Sequence, residues 1–424
     1  MPNNKTVAFH TLGCKLNFSE TSSLSRSLEA DGFVKKEFEE DADIYVINTC
    51  SVTENADKEC RHIVRKIRRR APESLVVITG CYAQLKPKEI AAIEGVNLVL
   101  GAAEKFNLSA HLQDLSRGDS AKICSCDIEE LSGFHSSFST NDRTRAFLKV
   151  QDGCDYNCSF CTIPLARGHS RSDSIEGVLA NVRQLAQKGI KEIVLTGINL
   201  GDFGKGNDGG AVKENTFYDL IQELDKMEGI ERFRISSIEP NLLSNEIIEF
   251  VAGSKKFMPH FHIPLQSGSD KILGAMRRRY KTELYTERVA RIKALMPHCC
   301  IGVDVIVGFP SESEDDFMDT CNFLHQLDIS YLHVFTYSER SNTHALDIKP
   351  IVPVGLRHER NKVLRNLSYQ KMQYFTEQHR GQKRMVLFEN AGNNNMMEGY
   401  TDNYIKIQVP KHEAWQNQLV EWTI

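Results

Sequence analysis

The stretch Gly153-Cys154-Asp155-Tyr156-Asn157-Cys158-Ser159-Phe160-Cys161-Thr162-Ile163-Pro164 decides how the rest of this chain is read. Cys154, Cys158 and Cys161 form a C-x3-C-x2-C run. Three thiolates so close in one loop can grip three corners of a cubane iron–sulfur cluster, because soft sulfur suits iron and a 4Fe–4S cluster ordinarily takes four such ligands. The missing fourth ligand leaves one iron open to a small molecule. A zinc knuckle and three unconnected buried cysteines are the competing readings; zinc usually takes four protein ligands, and this loop supplies no His or fourth Cys.

The spacing, with Phe160 just before the third cysteine, resembles the radical S-adenosylmethionine (SAM) enzymes. The resemblance implies that the open iron takes the amino and carboxylate groups of SAM.

Upstream, residues 6–116 alternate strand-like and helix-like stretches. Strands are predicted at Val7–Thr11, Ile44–Asn48, Leu75–Thr79 and Val96–Leu100, and helices at Ser19–Ala30, Ala56–Arg70, Lys86–Ile93 and Phe106–Leu115. Short apolar runs separated by helical periodicity predict a doubly wound parallel sheet. No G-x-G-x-x-G follows the first strand, so a dinucleotide site has no support. Instead the strands run into Leu12-Gly13-Cys14, Thr49-Cys50 and Gly80-Cys81. Carboxyl ends of parallel strands form the ligand-binding edge of such a sheet, so Cys14, Cys50 and Cys81 are predicted to converge as a second three-cysteine cluster site. The competing reading is three small buried residues in strand–helix turns. Cys60, Cys299-Cys300 and Cys321 lack such placement and read as buried thiols; Cys124-Ser125-Cys126 is weak evidence for a metal.

Two three-cysteine sites make the resemblance specific. The segments His10-Thr11-Leu12-Gly13-Cys14-Lys15-Leu16-Asn17, Asn48-Thr49-Cys50-Ser51-Val52-Thr53 and Gly80-Cys81-Tyr82-Ala83-Gln84 resemble the methylthiotransferase branch of the radical-SAM superfamily, whose N-terminal domain binds an auxiliary cluster. The resemblance covers almost the whole chain. It implies two 4Fe–4S clusters and SAM as cofactors, tRNA as partner, and an electron donor such as flavodoxin or ferredoxin. In the mechanism it implies, the Cys154/Cys158/Cys161 cluster reduces SAM to a 5′-deoxyadenosyl radical that opens an inert C–H bond. The Cys14/Cys50/Cys81 cluster supplies sulfur, and a second SAM supplies the methyl group. Gly-Cys-Lys-Leu-Asn resembles the MtaB-like group, which acts on N6-threonylcarbamoyladenosine at position 37 of tRNA. The isopentenyladenosine branch more often has Gly-Cys-Gln-Met-Asn, and the ribosomal-protein aspartate branch Gly-Cys-Pro-Lys-Asn. Those substrates, and a non-enzymatic two-cluster electron carrier or redox sensor, stay open as alternatives.

Residues 117–145 are polar and lack a clear period, which predicts a linker. A second α/β series fills 146–352, with strands expected at Phe147–Gln151, Glu192–Thr196, Arg232–Ser236, Phe261–Leu265, Val303–Val307 and Tyr331–Phe335. Six βα units are two short of an eightfold barrel and match the six-unit partial barrel that the resemblance implies. Thr196-Gly197, Ser237 and Gln266 follow strands and are expected SAM contacts, with helix capping as the competing role. Phe160 is expected beside the adenine, or in the core. Arg167 and Arg171 are expected to meet the SAM carboxylate or an RNA phosphate, with a surface salt bridge as the alternative. The basic runs Arg61–Arg70 and Arg277-Arg278-Arg279 suit RNA or a solvated helix face.

Residues 353–382 read as a basic helical connection, and 383–424 as strands that resemble the small RNA-binding β-barrel called TRAM. Tyr400, Tyr404, Lys406 and Trp415 are its expected RNA contacts. The chain ends about where that barrel's last strand should finish, so a short or cut barrel is expected. Tyr337–Thr343 departs from the family pattern, in which Gly often precedes the Thr.

Composition sets bounds on the chain. The 424 residues suffice for two or three domains, and 41% apolar with 25% charged residues is ordinary for a globular chain. No apolar run approaches the ~20 residues needed to span a bilayer, and Met1–Lys5 lacks signal-peptide character. A cytoplasmic monomer is expected, with its 12 cysteines reduced. A net charge of −4 leaves RNA binding to local basic patches.

Overall fold

The computed structural model describes residues 5–51, 54–113, 115, 120–131, 133–140, 144–206, 213–389 and 395–424, with only the backbone of Glu54 and Asn55. Val52 and Thr53 of the second cysteine motif, and parts of the 117–145 segment, lie outside the described residues. Its first sheet comprises β1 (Thr6–Thr11), β2 (Val34–Lys36), β3 (Ile44–Thr49), β4 (Leu75–Gly80), β5 (Leu98–Leu100) and β6 (Lys122–Cys124). All are parallel, in the order β2-β1-β3-β4-β5-β6. The central strand β3 is buried throughout, as expected of a strand covered on both faces. Ile63 and Ile67 of helix Glu54–Arg70 pack on one face, and Leu24 and Leu28 of helix Lys15–Ala30 on the other.

Several boundaries differ from expectation for physical reasons. Helix Lys15–Ala30 starts four residues early because its buried face is polar, with Asn17, Ser19, Glu20, Thr21 and Ser25 turned inward; hydrophobic periodicity misses such a face. The helix expected at Lys86–Ile93 is two short ones, Cys81–Leu85 and Pro87–Ala91, since Pro87 has no N–H to continue the ladder. The 117–145 segment does not merely connect. It supplies β6 to the first sheet and β7 (Ser137–Phe138) to the second.

The second sheet series holds β8 (Arg145–Lys149), then β9 (Gln151–Asp152) and β10 (Arg171–Ser172), an antiparallel pair at the base of the cysteine loop. It continues with β11 (Glu192–Thr196), β12 (Arg232–Ile235), β13 (His260–His262), β14 (Cys300–Val307) and β15 (Tyr331–Thr336). β8, β11 and β12 are parallel neighbours, as are β13, β14 and β15, and a parallel Ser237–His262 bridge joins the two sets. Ser174, Thr216, Ser244 and Ser313 begin four of the intervening helices by accepting a backbone N–H three residues on. One sheet face carries Leu148, Leu195, Phe233, Phe261 and Val303 into the helices' apolar core. By the two-residue period of a strand, the opposite face presents Phe147, Lys149, Glu192, Arg234, His262, Asp304 and His333. That polar face lines a lumen.

After helix Val354–Glu377, the strands β16 (Lys383–Phe388), β17 (Met396–Thr401), β18 (Lys406–Pro410) and β19 (Leu419–Thr423) form an antiparallel sheet ordered β18-β17-β16-β19. It covers the strand-start end of the second sheet. Glu192, with no solvent exposure, lies 2.7 Å from Arg234 Nε and 3.8 Å from Arg232. Arg234 then donates to Thr401 O and Asp402 O, and Arg232 to Met385 O. Arg145 pairs with Glu389 at 2.6 Å.

Removing a buried anion that balances several arginines costs about 3–5 kcal/mol. Glu192→Ala is therefore expected to lower the urea midpoint of the C-terminal sheet. Trp415 and Trp422, the chain's two tryptophans, both belong to that unit, so intrinsic fluorescence reads the transition; an unchanged midpoint would contradict the assignment.

Candidate functional site

The first cysteine trio is set by sheet register. Thr11, Asn48 and Thr79 are direct neighbours across β1, β3 and β4, and the chain reaches Cys14, Cys50 and Cys81 within three residues of them. Cys14 starts helix Lys15–Ala30 without a side-chain cap bond, so capping does not occupy its sulfur. Asn17 Nδ2 donates to Leu12 O at 2.9 Å and Thr49 O at 3.0 Å, tying the Cys14 turn to the Cys50 turn. A Cβ on Gly13, whose φ is +102°, would fall 2.5 Å from Cys50 Cβ; only glycine allows the two turns this close. Nearby, Asn48 Oδ1 and Thr79 Oγ1 are buried with no hydrogen-bond partner among the described residues.

The second trio sits in the loop between β9 and helix Ile163–Arg167. Gln151 braces the loop by donating to Asp152 O, Gly153 O and Ser170 Oγ. Backbone N–H groups of Tyr156 and Ile163 point at Cys154 Sγ and Cys161 Sγ, each at 3.4 Å. Arg278 Nη1 donates to Cys158 Sγ at 3.1 Å while its other terminal nitrogen bonds Glu239. Burial pushes the Cys154 and Cys161 thiols up to about 12, so these sulfurs become thiolates only with a positive centre such as iron beside them.

A buried ion network locks the two loops together. Glu20, from the helix that follows Cys14, has no solvent exposure. It meets Lys105 at 2.7 Å, Lys149 at 3.0 Å and Arg167 at 3.1 Å. Arg167 also donates to Asp152 at 2.9 Å, and its Nη2 donates to Asn17 Oδ1 at 2.6 Å. Burial alone pushes the Glu20 carboxyl up, but Arg167, Lys105 and Lys149 together hold it below the ordinary carboxylate range. Helix Cys81–Leu85 packs on helix Ile163–Arg167. Near Cys50, Ser51 and Asp57 receive Arg340 Nη2 at 2.5 and 2.8 Å. Each turn of the first trio is thus tied to the second domain.

Two cavities lie along the lumen. One, of about 320 Å³, is lined by Cys14, Lys15, Phe18, Arg145, Arg234 and Tyr404 among others. The other, of about 230 Å³, includes Phe160, Cys161, Gln266, Asp304 and Tyr337. The Tyr337 hydroxyl is buried and lacks a partner among the described residues. Burial and then Arg145 pull the Lys15 ammonium down to about 8, against the pull of Asp304.

Comparison with known proteins places this architecture. Residues 6–101 match the uncharacterized protein family UPF0004 and residues 148–324 the radical SAM superfamily. The chain is 40% identical to the threonylcarbamoyladenosine tRNA methylthiotransferase MtaB of Bacillus subtilis, over 98% of this chain and 93% of that protein. Identity to the protein of the same name from Aquifex aeolicus is 41%, over 95% and 96%. The chain belongs to the radical-SAM methylthiotransferase family. Its fold is also similar to that of TsrM, a radical S-adenosylmethionine methyltransferase from Kitasatospora setae, with a TM-score of 0.57 at 15% identity over 78% of this chain and 73% of that one. Membership carries SAM and a 4Fe–4S cluster. Among the described residues, no helix is long and apolar enough to cross a membrane.

In this methylthiotransferase the expected contact residues separate into two groups. Phe160 and Gln266 share a cavity with Cys161. Ser237 Oγ instead lies 3.0 Å from His262 Nδ1, and His262 Nε2 is 2.8 Å from Asp304. The Thr196 hydroxyl donates within its own strand to Val194 O, and Gly197 leaves no room for a Cβ against Gln151 and Leu200. Arg167 and Arg171 are corrected: both are buried and committed to protein groups, Arg171 donating to Arg167 O, His169 O and Gly133 O. Neither is a surface salt bridge. The Tyr404 ring stacks on His260 at 4.2 Å and lines the cavity beside Cys14. Lys406 is exposed and pairs with Glu398 at 2.7 Å. Arg278 and Arg279, read as a solvated or RNA-facing run, contact the cysteine loop, Arg279 lying 4.0 Å over Tyr156. Glu20, Lys105, Lys149 and Arg340 escaped the sequence reading, because nothing in spacing pairs charges so far apart.

Glu20→Gln leaves three buried cations short of one anion and is expected to cost about 3–5 kcal/mol, seen as a lower urea midpoint by circular dichroism. Because the folded Glu20 pKa lies below its ordinary 4.5, its contribution is complete above that value and is lost as pH falls from there toward the folded pKa. The midpoint difference between Glu20→Gln and the unaltered protein should be flat from about pH 6 to 8 and shrink below about 4.5. A difference that grows on acidification would contradict this.

Proposed function

We propose that this chain converts N6-threonylcarbamoyladenosine at position 37 of tRNA to its 2-methylthio derivative. The observation that carries the reading is the Glu20 network, which ties the helix after Cys14 to the loop of Cys154, Cys158 and Cys161, with Cys14 and Cys161 each lining a cavity. The near full-length likeness to two proteins named for that activity supports the substrate. Cys154, Cys158 and Cys161 would hold one 4Fe–4S cluster, and Cys14, Cys50 and Cys81 an auxiliary one. The three-thiol donor sets fit that assignment, and the unpartnered Thr79 hydroxyl has a proton to donate to sulfur there. SAM would lie against Phe160 and Gln266, where the unpartnered Tyr337 hydroxyl offers a polar contact.

When bound, these groups supply the radical C–H cleavage, the sulfur and the methyl group; the protein's part is binding and orientation. Arg278 donates to Cys158 Sγ, a contact that would tune the potential of a cluster held there. Arg167 fixes the spacing between the trios. Phe18 and Phe147, edge to face at 5.8 Å, form an apolar wall beside Cys14 where a purine can rest. The reading assigns residues 1–116 to the auxiliary-cluster domain, 146–352 to a six-unit partial barrel, 353–382 to a helical connection and 383–424 to a TRAM-like unit. Exposed Arg65, Lys66, Arg69 and Lys406 are RNA-facing in this scheme. The protein works as a cytoplasmic monomer served by a donor such as flavodoxin or ferredoxin.

The test is anaerobic reconstitution followed by reduction with SAM and tRNA bearing threonylcarbamoyladenosine, read by nucleoside mass spectrometry. A 2-methylthio product is expected from the unaltered protein and from neither Cys14→Ala nor Cys154→Ala. SAM cleavage with that nucleoside unchanged would show the substrate to be wrong. No SAM cleavage with both clusters loaded would reject the enzymatic reading.

A further inference from the structure

We infer that Lys15 reads the carboxylate of the threonylcarbamoyl group and so sets substrate choice, an inference that rests on the function proposed above. Three cations line the cavity beside Cys14: Lys15, Arg145 and Arg234. Two are already matched. Arg145 pairs with Glu389, and Arg234 with Glu192 and two backbone carbonyls of the C-terminal sheet. Lys15 is half-buried and makes no hydrogen bond or ion pair among the described residues. Asp304, the carboxylate whose charge it feels, already meets His262 Nε2 at 2.8 Å.

An ammonium drawn into a lumen without a partner is unfavourable, and the arrangement is relieved when a ligand brings an anion. The proposed substrate brings one. At neutral pH the threonylcarbamoyl substituent carries a single full charge, its carboxylate. On the adenine ring, C2 and C6 flank N1, so a substituent on N6 projects beside the carbon that receives sulfur. A base placed with C2 toward Cys14 therefore presents its N6 substituent to the adjoining residue. Lysine's flexible stem and point charge suit a carboxylate approached from a variable direction.

The experiment measures anaerobic binding of fluorescent anticodon stem-loops to the reconstituted protein. The RNAs carry threonylcarbamoyladenosine, its carboxyl methyl ester, or plain adenosine. The unaltered protein is expected to prefer the acid over the ester by about tenfold or more, the range for a hydrogen bond between charged groups. Lys15→Gln and Lys15→Met should bind acid and ester alike, whereas Lys15→Arg should keep the preference. Iron content checks cluster loading in each variant. Equal binding of acid and ester by the unaltered protein overturns the inference whether or not the variants load. A preference retained in loaded Lys15→Gln also overturns it, and would leave Lys15 as a counter-charge to the cluster. Parallel product analysis separates the two levels. Product from the unaltered protein with the preference retained in Lys15→Gln sinks only the Lys15 assignment. No product from the acid-bearing RNA sinks the function on which it rests.

Discussion

A carboxylate with no access to water, Glu20, is where the two halves of this molecule meet. Its three cationic partners come from separate places: Lys105 beyond β5, Lys149 at the end of β8, and Arg167 in the helix behind the second cysteine loop. Burying so many charges is costly, and such clusters add little net stability over apolar packing. What they add here is registration. Glu20 lies within two helical turns of Cys14, and Arg167 and Asp152 bracket Cys154 to Cys161. Fixing these side chains fixes the separation and orientation of the cysteine trios.

The second sheet divides its work by face. Apolar side chains turned toward the helices hold the domain together, which frees the opposite face to carry charge. Helix Lys15–Ala30 and its neighbours cover that face from one side, and the C-terminal sheet covers its strand-start end through Arg145, Arg232 and Arg234. The lumen that remains is polar, walled by protein, and reached by one cysteine from each trio: Cys14 in one cavity and Cys161 in the other. Asn342 shows how local geometry is kept where the sequence departs from glycine: it takes φ +64° in the turn that delivers Arg340 to Asp57. Asparagine is among the few residues that visit this region readily.

Much of this was legible in the chain itself. The four principal strands of the first sheet and the cysteines just past three of them follow from short apolar runs and from the rule that parallel strands end at a common edge. The six strands of the second sheet follow in the same way. Charged residues were the blind spot. Arg167, Arg171 and the Arg277–Arg279 run look like ligand- or RNA-facing groups because sequence shows a charge but not its partner. Tyr404 shows the same limit: its aromatic face suits RNA and suits His260 equally well. The polar inner face of helix Lys15–Ala30 hid its first turn, since its partners lie more than a hundred residues away.

The central claim is that each trio holds its own cluster, and iron and acid-labile sulfide counted on the reconstituted protein test it most directly. The account predicts two clusters' worth in the unaltered chain. It predicts one cluster's worth when Cys14, Cys50 and Cys81 are all replaced by alanine, and again when Cys154, Cys158 and Cys161 are. A single cluster's worth in the unaltered protein would contradict it, as would a full complement in either triple variant.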